Sequence, residues 1–168
     1  MRICTKQAST QPTTNVGALL TVAAVFCCLF PALAAAQTFS KKELQEIYSK
    51  YLDGEGYRPE VIDLGLKLKR EGRTYRIIFS ESDPTYFVLL LALQVEDKSV
   101  QGRLKFLEAA NFATATTKVA KAYLDDDGDL MVAVETVQPS PADAAKAIPR
   151  MFRMIDYSLQ KIASKLQK

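Results

Sequence analysis

Two rhythms of apolar residues divide the chain after Ser40. Leu44, Ile47, Tyr48, Tyr51 and Leu52 recur at the i, i+3, i+4, i+7, i+8 spacing of one helical face. Ser40 and Glu43 form a capping box ahead of that helix, and Gly54 or Gly56 ends it. The period then changes to two: Ile62, Leu64, Leu66 and Leu68 fall on one side, Asp63, Gly65, Lys67 and Lys69 on the other. After Glu71-Gly72 the same alternation returns in Tyr75, Ile77 and Phe79. A two-residue turn would set Leu68 opposite Tyr75, Leu66 opposite Ile77 and Leu64 opposite Phe79, so that all six share one face. A third run, Tyr86 to Val95, is apolar on both sides and belongs in the middle of a sheet.

Helical spacing resumes in Val100, Leu104, Leu107 and Ala110. Two further strands, Val119 to Leu124 and Leu130 to Val137, flank the turn Asp125-Asp126-Asp127-Gly128-Asp129. Ser140, Pro141 and Asp143 open a last helix, whose apolar positions are Ile148, Phe152, Ile155, Leu159, Ile162 and Leu166; Pro149 should kink it near its start. The order α-β-β-β-α-β-β-α predicts an α+β domain with a mainly antiparallel, five-stranded sheet and helices packed on it.

The region before this domain has a different character. Val16 to Phe30 is apolar except for Thr21, with Arg2 and Lys6 ahead of it and Pro31-Ala-Leu-Ala-Ala-Ala36 behind. That order reads as a secretory signal peptide over residues 1–36, leaving one domain over 37–168. Spanning a bilayer takes about 20 apolar residues, more than this run offers, so cleavage is favoured over a retained anchor. The expected location is periplasmic or secreted. Neither Cys27 nor Cys28 follows a small residue, which disfavours lipidation.

Composition then narrows the chemistry. All three cysteines lie before Ala36 and the chain has no histidine, so the exported domain lacks the usual nucleophile, base and soft-metal ligands. The formal charge of +3 falls closer to balance once Arg2 and Lys6 are removed, which gives no argument for nucleic acid or an anionic membrane as partner. The acidic turn does not fit a calcium-binding EF-hand loop. Counted from Asp125, glycine falls fourth; the frame with Gly128 sixth starts at Tyr123 and ends at Val134. Ser158 and Lys161 have S-x-x-K spacing without its companion motifs, on what reads as a solvated helix face. The carboxylate pairs Glu81 with Asp83 and Asp126 with Asp129 sit in predicted turns. No glycine-rich phosphate loop occurs among the seven glycines. These readings assign no catalytic residue, no metal and no cofactor. Tyr57, Arg58, Arg73, Tyr75, Arg76 and Tyr86 remain as recognition residues, or as ordinary sheet positions.

With the elements in place, a resemblance emerges. Tyr57-Arg-Pro-Glu-Val61, Glu71-Gly-Arg-Thr-Tyr-Arg-Ile-Ile-Phe79, Glu81-Ser-Asp-Pro-Thr-Tyr-Phe87, Ala109-Ala-Asn-Phe112 and Lys118-Val-Ala-Lys-Ala-Tyr-Leu-Asp-Asp-Asp-Gly-Asp-Leu130 together look like the YbjN-like family. Its members are often labelled as proposed sensory transduction regulators, and its fold resembles the dimeric chaperones of type III secretion. The resemblance implies a protein-binding accessory domain, chaperone-like or regulatory, and supplies no catalytic residue. A homodimer is the expected assembly, with Val100, Leu104 and Leu107 of the middle helix and Tyr86, Val88 and Leu90 of the third strand as candidate interface residues. The alternatives are a structural envelope component without a ligand, and a hydrolase using carboxylates or Ser158 with Lys161.

Overall fold

The capping box forms as the sequence predicts: Ser40 Oγ accepts from the Glu43 amide at 3.3 Å, and Glu43 accepts from the Ser40 amide at 2.7 Å. It starts helix α1, Lys41–Gly54, which buries Leu44, Tyr48 and Leu52. The computed structural model describes residues 38–167, so the apolar leader and its cleavage site lie outside the described residues. Strands β1 (Glu60–Ile62), β2 (Gly65–Arg70), β3 (Arg73–Phe79) and β4 (Tyr86–Leu93) follow; then come helix α2 (Val100–Thr116), strands β5 (Ala120–Leu124) and β6 (Leu130–Val137), and helix α3 (Pro141–Leu166). The sheet is antiparallel throughout, in the order β1-β2-β3-β4-β6-β5.

The α+β class and the antiparallel sheet therefore hold, and the strand count is corrected from five to six. The expected run from Ile62 to Leu68 is two strands, because Asp63 and Leu64 form a tight turn in which Ile62 faces Gly65. Leu64 sits at its tip, 68% exposed, instead of opposite Phe79. The remaining pairs, Leu66 with Ile77 and Leu68 with Tyr75, stand as expected. Glu71 and Gly72 both take positive φ, 51° and 76°, the two-residue reversal that matches strand twist.

All three helices cover one face of the sheet. Tyr48 packs on Phe79 and Phe87 with ring centroids 5.0 and 4.9 Å apart, and Ile148, Phe152, Ile155 and Ile162 of α3 lie in the same core as Leu89, Leu91 and Val132. Pro149 does not end α3, which runs unbroken through it. Beside Phe152, Asp156 accepts from Arg70 at 3.0 Å and from Arg73 at 3.3 Å, tying α3 to the β2–β3 hairpin.

Helix α2 approaches the core through small residues, Gly102, Ala109, Ala110 and Ala113, and so comes close to β5 and α3. Thr114 uses that proximity: its Oγ accepts from the Ala122 amide at 2.8 Å and donates to the Ala122 carbonyl at 3.2 Å. Thr117 donates to the Ala120 carbonyl at 3.3 Å. Two threonines thus occupy three of the outward backbone groups of edge strand β5, at Ala120 and Ala122, which blunts strand addition there.

Candidate protein-binding surfaces

The residues predicted to form an interface fall on two different faces. Tyr86, Val88 and Leu90 alternate with the core residues Phe87, Leu89 and Leu91, so the pleat turns them to the side of the sheet without helices. There they join Ile78, Met131 and Ala133 in a small second cluster, in which Val88 and Leu90 are each only 8% exposed. Around it stands a polar frame that includes Lys121, paired with Glu135 at 2.6 Å. That bond holds the Lys121 ammonium above its ordinary pKa.

Val100, Leu104 and Leu107 are instead on α2, and they are 87%, 56% and 48% exposed. They occupy the side of the helix opposite Ala109 and Ala113, so the middle helix packs inward through small residues, with Phe106 half-buried beside them against the core, and turns Val100, Leu104 and Leu107 outward. Hydrophobic spacing marks Val100, Leu104 and Leu107 as a stripe, whereas the face that packs inward, Gly102, Ala109, Ala110 and Ala113, is selected by close approach and carries no such mark.

The other recognition candidates are dispersed. Tyr75 is fully buried against Phe152, at 4.9 Å and nearly perpendicular, and Tyr57 packs on the same ring at 5.6 Å. Arg73 is held by Asp156, while Arg58 lines an open groove with Glu60, Lys67 and Thr74. Ser158 is not on a solvated face; it is completely buried, and Lys161 lies over the Tyr157 ring at 4.9 Å.

The acidic turn is built on itself. Gly128 has φ 76° and donates to the Asp125 carbonyl at 2.9 Å, and the Asp129 amide donates to Asp125 Oδ1 at 2.8 Å. No cluster of His, Cys, Asp and Glu suited to a metal ion occurs among the described residues. Asp129 also reaches out of the turn, accepting from the Lys98 ammonium and from the Val95 amide at 3.0 Å, and so fastens the β5–β6 turn to the segment that leads into α2. The Lys98 bond, then the Val95 bond, holds its carboxyl below the ordinary aspartate range. A depressed folded-state pKa gives stability that is present above the unfolded value of about 4 and is lost as pH falls through the folded one. Asp83, Asp97, Asp143 and Glu43 shift in the same direction. Thermal melts at falling pH should therefore show a declining midpoint below about pH 4, and Asp129→Asn should flatten part of that decline. An unchanged slope in the variant would assign the acid sensitivity to the other carboxylates.

A feature that sequence reading missed lies along α3. Lys146, Arg150 and Arg153 project from one stripe of the helix beside two adjoining grooves of about 500 and 470 Å³, which share Arg150 and Met154 as lining. Their i, i+4, i+7 spacing was legible. What they face was not, because the opposite wall, Thr116 to Val119, reaches α3 only through the tertiary fold.

No protein-family model and no curated protein matches this sequence. Solved structures do. An uncharacterized protein from Methanothermobacter thermautotrophicus aligns with a TM-score of 0.51 and 17% identity, over 73% of this chain and 99% of that one. YbjN from E. coli, proposed as a transcription regulator, aligns with a TM-score of 0.53 and 17% identity, over 69% of this chain and 89% of its own. The chain has the YbjN fold. The Yersinia pestis type III secretion chaperone SycH, solved with a fragment of YscM2, gives 0.44 and 12% identity over 70% of this chain and 98% of that one, too loose a likeness to bear on function.

Proposed function

We propose that this protein is an exported, non-catalytic accessory domain that works by binding protein, and that its first partner is a second copy of itself. One observation carries the reading: Val100, Leu104 and Leu107 stand in solvent along a single side of α2. Steps of four and three are those of a coiled-coil seam, and a twofold axis across the helix would set Leu104 of one copy against Leu107 of the other. The small second cluster on the open sheet face supports a partner less well, since Val88 and Leu90 are already covered by their neighbours. Export rests on the leader pattern, and the non-catalytic reading on the lack of histidine and the burial of Ser158.

The test uses protein isolated from the cell envelope. Its intact mass should begin at Gln37, and light scattering should give twice that mass. Leu104→Glu should leave the thermal midpoint nearly unchanged, because Leu104 is outside the core, yet weaken association by about a hundredfold, roughly 3 kcal/mol for a carboxylate left unpaired in the contact. A wild-type monomer at high micromolar concentration would sink the dimer. Retention of residues 1–36 in the isolated form would sink secretion as a free domain.

A further inference from the structure

We propose that the groove between α3 and the segment joining α2 to β5 binds an extended acidic protein segment that carries apolar side chains. The site lies apart from the exposed stripe of α2, so it goes beyond self-association and names the chemistry of a second partner.

Charge is the first argument. Lys146, Arg150 and Arg153 follow one another at i, i+4 and i+7, a spacing at which like charges repel along a helix. Lys118 stands on the facing wall. Of these four cations only Lys146 has a carboxylate within reach among the described residues, Asp143 at 3.5 Å. A concave surface with this excess of cations favours a ligand that brings carboxylates.

Shape and lining narrow the class. Met151, Met154 and Ala147 supply an apolar floor, and methionine adapts to differing side chains. From Lys146 to Tyr157 the helix rises about 16 Å, the length of roughly five residues of extended chain. Val119 forms part of the wall, 54% exposed and at φ 70°, a strained conformation for a β-branched residue. Thr117 spans the bend, its hydroxyl donating to the Ala113 carbonyl at 2.8 Å and lying 3.3 Å from the Ala120 carbonyl. Strain held this way tends to mark a functional wall. Because threonines occupy the edge of β5, recognition falls to side chains instead of added strand pairing. Single-stranded nucleic acid would want several open aromatic platforms, whereas the groove has Tyr157 alone, already stacked under Lys161. A membrane would want a protruding apolar face, and this one is recessed.

Fluorescence anisotropy of a labelled peptide alternating Glu and Leu, titrated with the full chain in the form the cell accumulates, tests the assignment. Binding should weaken with salt, fall about tenfold or more in the double variant Arg150→Glu, Arg153→Glu, and fall likewise in Lys118→Glu. Lys69→Glu, on the open sheet face, should not change it. Circular dichroism should show all variants folded, since each replaced side chain is exposed. No binding by the wild-type chain, or equal binding by the groove variants, would overturn the proposal. So would tighter binding of oligothymidylate or of phosphatidylglycerol vesicles that the same variants abolish.

Discussion

Replacing Gly65 with alanine is expected to destabilise the domain by about 3 kcal/mol or more, enough to unfold it at moderately raised temperature. Gly65 opens β2 at φ 147°, which side chains rarely adopt, directly after the Asp63-Leu64 turn. A Cβ there would collide with the backbone carbonyl oxygen of Ile77 and stand 3.3 Å from the Phe79 ring. Neither contact can be relieved cheaply. The carbonyl belongs to central strand β3, paired with β4 on its other side, and Phe79 packs against Tyr48. Alanine at Gly72, where nothing lies within 4 Å of the added carbon, is the control for positive φ alone. Thermal denaturation of the two variants separates the effects. If Gly65→Ala melts within a few degrees of wild type, the close approach of β2 to Ile77 is not a constraint on the fold.

Gly65 also shows why part of the sheet was illegible. Ile62, Leu64, Leu66 and Leu68 keep a perfect period of two, and period is the signal by which strands are found. A two-residue turn, however, preserves that period while reversing the chain. Only the glycine with its odd dihedral marks the break, and sequence carries no dihedral. Where pattern and burial coincide the reading was sound: Leu66 and Leu68 face Ile77 and Tyr75, and β4, apolar on both sides, lies inside the sheet.

The binding surfaces were legible in composition and illegible in direction. The stripe of Val100, Leu104 and Leu107 could be counted and offered as an interface, but its outward direction does not follow from amphipathic logic, which assumes that large apolar residues face the core. In α2 the premise holds only for Phe106, because a helix that approaches β5 closely enough for Thr114 to bond Ala122 meets the core mainly through Gly102, Ala109, Ala110 and Ala113. The cation stripe of α3 was likewise visible as spacing, while its meaning depends on Thr116 to Val119, far away in sequence. Val119 has no sequence mark at all, since nothing in a valine announces a positive φ.

Truncation of Phe152 should have the other large effect, a loss of about 3–5 kcal/mol and a fall in melting temperature on the order of 10 °C. Its ring is 1% exposed and is the meeting point of three elements: α3 supplies it, Tyr75 of β3 meets its edge at 4.9 Å, and Tyr57 of the α1–β1 connection packs at 5.6 Å. The Arg70 guanidinium lies 4.9 Å from its centroid while donating to Asp156. Alanine would leave a cavity beneath two tyrosines and would also remove the surface that positions Arg70. Phe152→Leu, which keeps most of the volume but loses the ring face, should cost distinctly less. Adding Asp156→Asn to each gives a double-mutant cycle. The ion pair and the ring share Arg70, so the combined loss in Phe152→Ala, Asp156→Asn should be smaller than the sum of the single losses. Strict additivity, measured by denaturant unfolding, would mean that Arg70 is held independently of the ring and that Phe152 acts by volume alone.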